Sequence, residues 1–284
     1  MFDLSLSPPQ AEFILKPNVT LTQAYEVTNN SNQEITINTK VLPFLPSGDD
    51  GSVTYSDLIS NPNIIFSLNN ANLQLGQPFT LKANETKQLV LKITTNSQTK
   101  LADYYSTFFV YQTNQTTAND TNISQTTGQI GSHILLSVSN TENPTVSGII
   151  QKFSITPKIK DVFLTPIKFN GQIQNNSNYF FKTTGQITIS KGERVIKELE
   201  LDSQNVLANY YRKFSCNDQS ECTLNTPLWP GHYTATIQLN SSLNTTNIST
   251  SFFVLPLSPL ALITFIWFAF FLSSKIKNII KHGL

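Results

Sequence analysis

The sequence is poor in charge. Only 13% of its 284 residues are Asp, Glu, Lys or Arg, about half of the share that is usual in soluble proteins. Basic and acidic residues nearly balance, at 19 and 18, so the chain lacks the positive surface with which proteins bind nucleic acid. Asn, Thr, Ser and Gln fill the surface positions instead, as is common on exported proteins. We therefore expect no nucleic-acid partner.

The sequence also lacks the motifs of catalysis and of cofactor binding. It has no G-x-S-x-G or H-E-x-x-H motif, no glycine-rich phosphate loop and no catalytic-cysteine context. The histidines, His133, His232 and His282, have no partner at ligand spacing. We predict a protein that is not an enzyme and has neither a cofactor nor a metal site. The alternative is a carbohydrate-active enzyme, because its pair of catalytic carboxylates need not form a recognisable sequence motif.

Cysteine is nearly absent. Cys216 and Cys222 are the only two, and their C-x5-C spacing predicts a local disulfide. Such a bond forms in an oxidising compartment and stabilises a fold by about 2 kcal/mol. Metal binding, with His232 as the nearest soft ligand in sequence, is the alternative.

What the sequence does contain is the two-residue period of half-buried strands. Polar and apolar residues alternate over 34–37, 88–93 and 234–237, and clusters of Asn, Ser, Gly and Pro separate such segments. No helical period occurs before residue 256. This combination predicts an all-β chain of antiparallel β-sandwiches.

The chain also contains an internal repeat. Three landmarks occur twice in the same order: VTNNSN at 27–32 with IQNNSN at 173–178, Ala-Asn-x-x-Lys/Arg at 83–87 with 208–212, and an aromatic segment at 102–106 with 231–235. We predict two tandem Ig-like sandwiches, residues 1–142 and 143–253. The polar segment 114–129 is predicted to be a mobile loop of the first.

Several aromatic residues are candidates for structural or contact roles. Tyr104 and Tyr233 occupy the position of a tyrosine corner, where a phenol at the start of a late strand bonds a backbone group just upstream. Trp229 is expected to cover the edge of the core, with a ligand platform as the alternative. Four residues after turn signals are possible partner contacts, with core burial as the default: Tyr179, Phe180, Tyr210 and Tyr211.

The longest apolar run lies near the end of the chain. Residues 256–274 carry no charge, and about 19 residues at ~1.5 Å each give roughly 28 Å of helix. The tail, 275–284, has three lysines and no acidic residue. We predict one transmembrane α-helix over 256–274, a basic cytoplasmic tail, and both sandwiches outside the cell membrane. A buried helical hairpin in a soluble core is the alternative.

The first residues do not show the signal peptide that this topology needs. Met1 to Leu4 form neither a basic nor an apolar region. Three explanations stay open: the signal was removed, the start was placed too late, or the protein is tail-anchored with a cytosolic body.

On these residues the chain resembles the WxL-interacting proteins of Gram-positive bacteria. The likeness of the first domain rests on Leu15-Lys16-Pro17, on 27–30, on 50–55 and on Tyr104-Tyr105; that of the remainder rests on Leu228-x-Pro230-Gly231-x-Tyr233 and the span with its basic tail. The resemblance covers nearly the whole chain. It implies that the first domain binds peptidoglycan and that the second contacts host or partner proteins.

Two hypotheses for the function follow. The first is a membrane-anchored bacterial surface protein that contacts the cell wall or a wall-associated protein through its Ig-like domains, without catalysis. The second is an envelope assembly factor, in which an exposed sandwich edge offers backbone hydrogen bonds to a client strand, as periplasmic chaperones do.

Overall fold

The computed structural model describes residues 3–56, 60–113, 128–162, 166–216, 221–240, 245–260, 263–264, 266–268 and 270. Most of these residues form strands, which confirms the predicted all-β class. The chain divides into two compact units. One comprises Met1–Thr145 with Asn178–Phe180, and the other comprises Val146–Ser177 with Phe181–Leu284.

The first unit is built from strands β1 (Leu4–Ser7), β2 (Gln10–Leu15), β3 (Thr20–Asn29), β4 (Ile35–Pro46), β5 (Val53–Tyr55), β6 (Ile64–Leu68), β7 (Phe79–Leu81), β8 (Thr86–Thr95), β9 (Ala102–Gln112) and β10 (Gln129–Val138). One sheet has the order β1-β3-β8-β6 and the other the order β2-β10-β9-β4-β5, with β7 also paired to β4. The pair β2 and β10 is parallel. Most of the predicted mobile loop, residues 114–127, lies outside the described residues.

The core of the first unit lies between these two sheets. In β8, Leu89, Leu91 and Ile93 are fully buried, because alternate side chains of a strand point to the same face. Tyr25 of β3 packs against Phe108 of β9 with ring centroids 5.0 Å apart. Each such side chain contributes about 1.5–3 kcal/mol by leaving water, so this contact between the sheets defines a β-sandwich.

The second unit is built from strands β11 (Gly148–Thr156), β12 (Ile159–Asp161), β13 (Ile167–Asn175), β14 (Phe181–Lys182), β15 (Thr184–Lys191), β16 (Arg194–Glu200), β17 (Asn205–Val206), β18 (Tyr211–Lys213), β19 (Cys222–Leu224), β20 (Gly231–Asn240) and β21 (Thr245–Leu255). One sheet has the order β11-β13-β18, with β19 also paired to β13. The other has the order β12-β21-β20-β15-β16, and β14 pairs with β17. The pair β12 and β21 is parallel.

The first landmark of the sequence repeat has the same hydrogen bonds in both units. Asn29 and Asn175 are both fully buried. Asn29 Oδ1 accepts from the backbone N–H and the hydroxyl of Ser31 at 3.1 and 2.7 Å, and Asn175 Oδ1 accepts from the same two groups of Ser177 at 2.8 and 2.6 Å. The Asn-x-Ser sequence therefore folds into one kind of turn at both places.

The second landmark is also equivalent in three dimensions. Asn84 and Asn209 have φ angles of 58° and 54°, in the left-handed region that Asn tolerates better than most residues. The Asn84 N–H donates to the Ser31 carbonyl at 3.2 Å, and the Asn209 N–H donates to the Ser177 carbonyl at 3.1 Å. In each unit the second landmark is thus bonded to the first.

β21 leads directly into helical backbone. Residues 257–260, 263–264, 266–268 and 270 are helical, and the Leu260 N–H donates to the Pro256 carbonyl at 3.1 Å. Within the described residues, no helix has the length and apolar character to cross a membrane. The predicted tail, 275–284, lies outside them.

Candidate functional site

One long strand at the side of a sheet in the second unit is only partly paired. β21 pairs with β20 over Thr245–Val254. On its other side, β12 pairs with residues 253–255 alone. Among the described residues no strand pairs with that side of 245–252, and we call this stretch the open edge.

The pairing with β12 shows which backbone groups face outward along the open edge. The Phe253 N–H donates to the Lys158 carbonyl at 2.8 Å, and the Leu255 carbonyl accepts from the Val162 N–H at 3.2 Å. Because backbone groups alternate sides along a strand, every second residue before Phe253 faces the same way. Asn247, Ser249 and Ser251 therefore direct their N–H and C=O groups away from β20.

The open edge lacks the features that protect other edges in this unit. β16, at the opposite side of the same sheet, carries Arg194, Lys197, Glu198 and Glu200, and β11 has an irregularity between Ile150 and Lys152. Charges and bulges of this kind discourage the addition of another strand. Residues 245–252, TTNISTSF, have no charge, no proline and no break in register with β20.

The side chains on the outer face next to the open edge are small and polar. The hydroxyls of Ser249 and Thr236 lie 2.8 Å apart, and Asn247 pairs in register with Gln238. This face therefore offers hydrogen-bonding groups without charge.

The inner face fixes the strand to the core. Phe252 and Tyr233 are both buried, and their rings are stacked with centroids 5.4 Å apart. Ile237 and Leu239 of β20 are fully buried as well. The outward backbone groups are therefore held by a packed sheet, which is the arrangement that a preorganised binding edge requires.

Tyr104 and Tyr233, the two tyrosine-corner candidates, bond backbone groups four residues upstream. The Tyr104 hydroxyl donates to the Lys100 carbonyl at 3.0 Å, and the Tyr233 hydroxyl donates to the Trp229 carbonyl at 2.7 Å. Burial raises the pKa of both phenols, which keeps them in the neutral form that donates. Their role in the structure is to fix the start of β9 and of β20.

The expectation that Trp229 covers the edge of the core is wrong. Its side chain is 83% exposed, although its backbone carbonyl is held by Tyr233. Leu228, the preceding residue, is buried and takes the place in the core. The sequence offered two apolar neighbours for one buried position, and the smaller one occupies it.

Cys216 and Cys222 form a disulfide. Both are buried. Cys222 begins β19 opposite Phe169 of β13, and Cys216 forms a β-bridge with Leu201. The bond thus joins two segments that already lie against the sheets, and the loop between them, 217–220, lies outside the described residues.

The four aromatic contact candidates belong to different units. Tyr179 and Phe180 group with the first unit, where the Tyr179 hydroxyl donates to the Val138 carbonyl at 3.3 Å and the Phe180 N–H donates to Asp103 at 2.5 Å. Tyr210 and Tyr211 lie in the second unit with their rings stacked at 4.8 Å. All four have contacts within the chain, and none lies on the open edge.

Two of the histidines pack against aromatic rings. The His133 ring lies 5.0 Å from Phe44, its Nδ1 is 2.8 Å from the Thr107 hydroxyl, and burial lowers its pKa. The His232 ring lies 4.8 Å from Phe253, and His282 lies outside the described residues. In the described part of the chain, no three His, Cys, Asp or Glu side chains are grouped so that they could hold a metal ion.

No protein-family model and no curated protein matches the sequence. Among solved structures, the chain is similar to several chaperones. The class 5 fimbriae chaperone CfaA is 12% identical with a TM-score of 0.44, over 89% of this chain and 100% of that one. The Escherichia coli chaperone DraB is 10% identical with a TM-score of 0.39, over 89% of this chain and 97% of that one. The Pseudomonas aeruginosa chaperone CupB2 is 11% identical with a TM-score of 0.37, over 87% of this chain and 100% of that one.

Proposed function

We propose that this chain is a non-catalytic bacterial envelope protein that binds an extended segment of another protein by strand addition at the open edge. Residues 256–274 anchor it in the membrane, with the sandwiches outside. The observation that carries the proposal is the open edge itself, a stretch of uncharged backbone on a rigid sheet with no protecting charge or bulge. This is the envelope assembly hypothesis.

The geometry sets the strength of such a contact. Asn247, Ser249 and Ser251 offer three N–H and three C=O groups, and a hydrogen bond in water contributes a net of about 1 kcal/mol. Association costs at least about 4 kcal/mol in lost freedom, so backbone pairing alone gives weak and reversible binding. A client therefore needs side chains that fit the outer face. Its small polar groups favour a segment rich in Ser, Thr, Asn or Gln.

The setting of the site supports a location in the envelope. The disulfide of Cys216 and Cys222 suits an oxidising compartment. The uncharged run 256–274 follows β21 without a linker. Peptidoglycan binding by the first unit stays a prediction of the family resemblance, and we assign no residue to it.

The test uses the full chain in the membranes of its own host. A photo-crosslinking amino acid at Asn247 or Ser251 is expected to capture an envelope protein, with the crosslink mapped to one extended segment of it. Ser249→Pro removes an outward N–H without removing a bond to β20. We expect this variant to stay folded and to lose the crosslink.

A matched pair of lysine substitutions separates the edge from the face. Ser249→Lys places a charge on the edge strand, and Thr236→Lys places the same charge on the neighbouring strand of the same face. We expect the first to lose the client and the second to keep most of it. If both variants and Ser249→Pro captured the client as well as the unchanged chain does, strand addition at this edge would be excluded.

A further inference from the structure

Five exposed apolar side chains lie where β21 passes into the helical residues that begin at 257, which we call the helical segment. They are Ile159, Trp229, Phe253, Leu255 and Leu257, with exposed fractions of 55%, 83%, 50%, 37% and 46%. We call them the apolar rim. Soluble proteins scatter single apolar residues over the surface, but a contiguous exposed group marks a site of interaction.

The rim residues are neighbours in the fold. Ile159 of β12 pairs in register with Phe253 of β21, and Leu255 and Leu257 follow on the same chain. His232, opposite Phe253 in β20, stands three residues after Trp229, whose carbonyl is bonded to Tyr233. The rim therefore gathers the ends of two adjacent strands and the turn that precedes β20.

Trp229 is exposed but not loosely held. Its carbonyl accepts from the Tyr233 hydroxyl at 2.7 Å, and the next carbonyl, that of Pro230, accepts from Lys191 Nζ at 2.9 Å. The backbone that carries the exposed indole is therefore fixed, which suits a permanent contact such as the surface of the anchoring membrane. Trp is the residue that settles at the boundary between lipid and water, because one end of its ring is apolar and the other donates a hydrogen bond.

The start of the helical segment is fixed to the same end of the sheet. Asp161, the last residue of β12, accepts from the Ser258 backbone N–H at 2.5 Å and from the Ser258 hydroxyl at 2.8 Å. Leu255 lies two residues before the first helical residue, about 7 Å along an extended chain. The headgroup layer is itself about 5–8 Å deep. No spacer separates the rim from a bilayer that begins at the helix.

We infer that the apolar rim docks in the headgroup layer of the bilayer that anchors the chain, so that the second unit stands directly on the membrane. The inference rests on the anchoring part of the proposed function and is independent of the client. Lys158 and Lys191, both exposed at this end, place positive charge beside the rim, which favours anionic lipids. The open edge then begins at the membrane surface and extends away from it along β21.

The test is fluorescence of the full chain reconstituted in vesicles of phosphatidylcholine and phosphatidylglycerol. Trp229 and Trp267 are the only tryptophans, so Trp267→Phe leaves Trp229 as the single reporter. We expect its emission to shift to the blue and to be quenched more by lipids brominated near the headgroup than by lipids brominated near the chain end. Replacing phosphatidylglycerol by phosphatidylcholine should weaken both effects.

Two control variants decide the interpretation. A single Trp introduced by Thr245→Trp, with both native tryptophans changed to Phe, lies at the far end of β21, about 33 Å from Leu255. It should be quenched by acrylamide and not by either lipid. Trp229→Phe leaves Trp267 in the helical segment, where lipid brominated near the chain end should quench it most.

Each other result overturns the inference. If acrylamide reaches Trp229 as easily as it reaches the Thr245→Trp reporter, the rim does not touch lipid. Trp229 that is shielded from acrylamide but not quenched by lipid shows that protein covers the rim. If brominated lipid does not quench Trp267, the helical segment is not inserted in the bilayer. Both the membrane anchoring and the docking of the rim are then refuted. Client capture at the open edge is measured separately and can fail alone.

Discussion

Asp161 holds the first helical turn onto the sheet through two hydrogen bonds from Ser258, one from its backbone N–H at 2.5 Å and one from its hydroxyl at 2.8 Å. Asp161 is the last residue of β12 and is buried. The Leu255 carbonyl accepts from Val162 beside it. The connection between sandwich and helical segment is therefore a structured joint.

The first prediction concerns this joint. Asp161→Ala removes both acceptors, and hydrogen bonds to a charged group contribute about 2 kcal/mol. The Ser258 amide should then exchange its hydrogen roughly 30-fold faster, since local opening sets the exchange rate. Hydrogen exchange of the full chain in vesicles measures this. Ser258→Ala, which loses only the hydroxyl bond, should show a smaller increase in the exchange rate of this amide. An equal exchange rate in the unchanged protein and both variants would show that Asp161 does not hold the helical turn.

The second prediction concerns the disulfide. Replacing Cys216 and Cys222 by Ala should lower the free energy of unfolding of the second unit by about 2 kcal/mol, because a short loop is no longer closed in the unfolded chain. Urea unfolding followed by circular dichroism measures the loss. Reduction should destabilise the unchanged protein by the same amount and leave the double variant unaffected. A reductant effect on the double variant would mean that the loss has another cause.

Parts of this fold could be predicted from local sequence, and other parts could not. Alternation and the Asn-x-Ser turns are local properties, so the sheets and the matched bonds of Asn29 and Asn175 follow from short segments. The open edge does not. Polar and apolar residues alternate in β20 as they do in β21. Only the long-range pairing of strands places β20 inside the sheet and β21 at its edge. The burial of Trp229 was mispredicted for a similar reason. Tertiary packing, and not the local sequence, decides whether Leu228 or Trp229 is buried in the core.

The third prediction compares the two tyrosine hydroxyls. Tyr233→Phe should cost about 1–2 kcal/mol of stability, because the Trp229 carbonyl loses its donor beside a buried ring. Tyr104→Phe should cost less, since Tyr104 is only half-buried and water can replace its hydroxyl at the Lys100 carbonyl. Urea unfolding of the two variants tests the order. Equal costs would show that burial does not govern these bonds.

The fourth prediction concerns alkaline pH and the core of the first unit. Burial raises the pKa of Tyr25 from 10.0 to about 12. Between these values the unfolded chain releases the proton and the folded chain keeps it, so the folded state binds more protons and the free energy of unfolding falls as pH rises. The fall should approach about 2–3 kcal/mol by pH ~12. Tyr25→Phe keeps the ring beside Phe108 and removes the ionisable group, so its stability should change less between pH ~9 and ~12. Urea unfolding across this range decides the point, and parallel curves for the two proteins would show that other groups cause the alkaline loss.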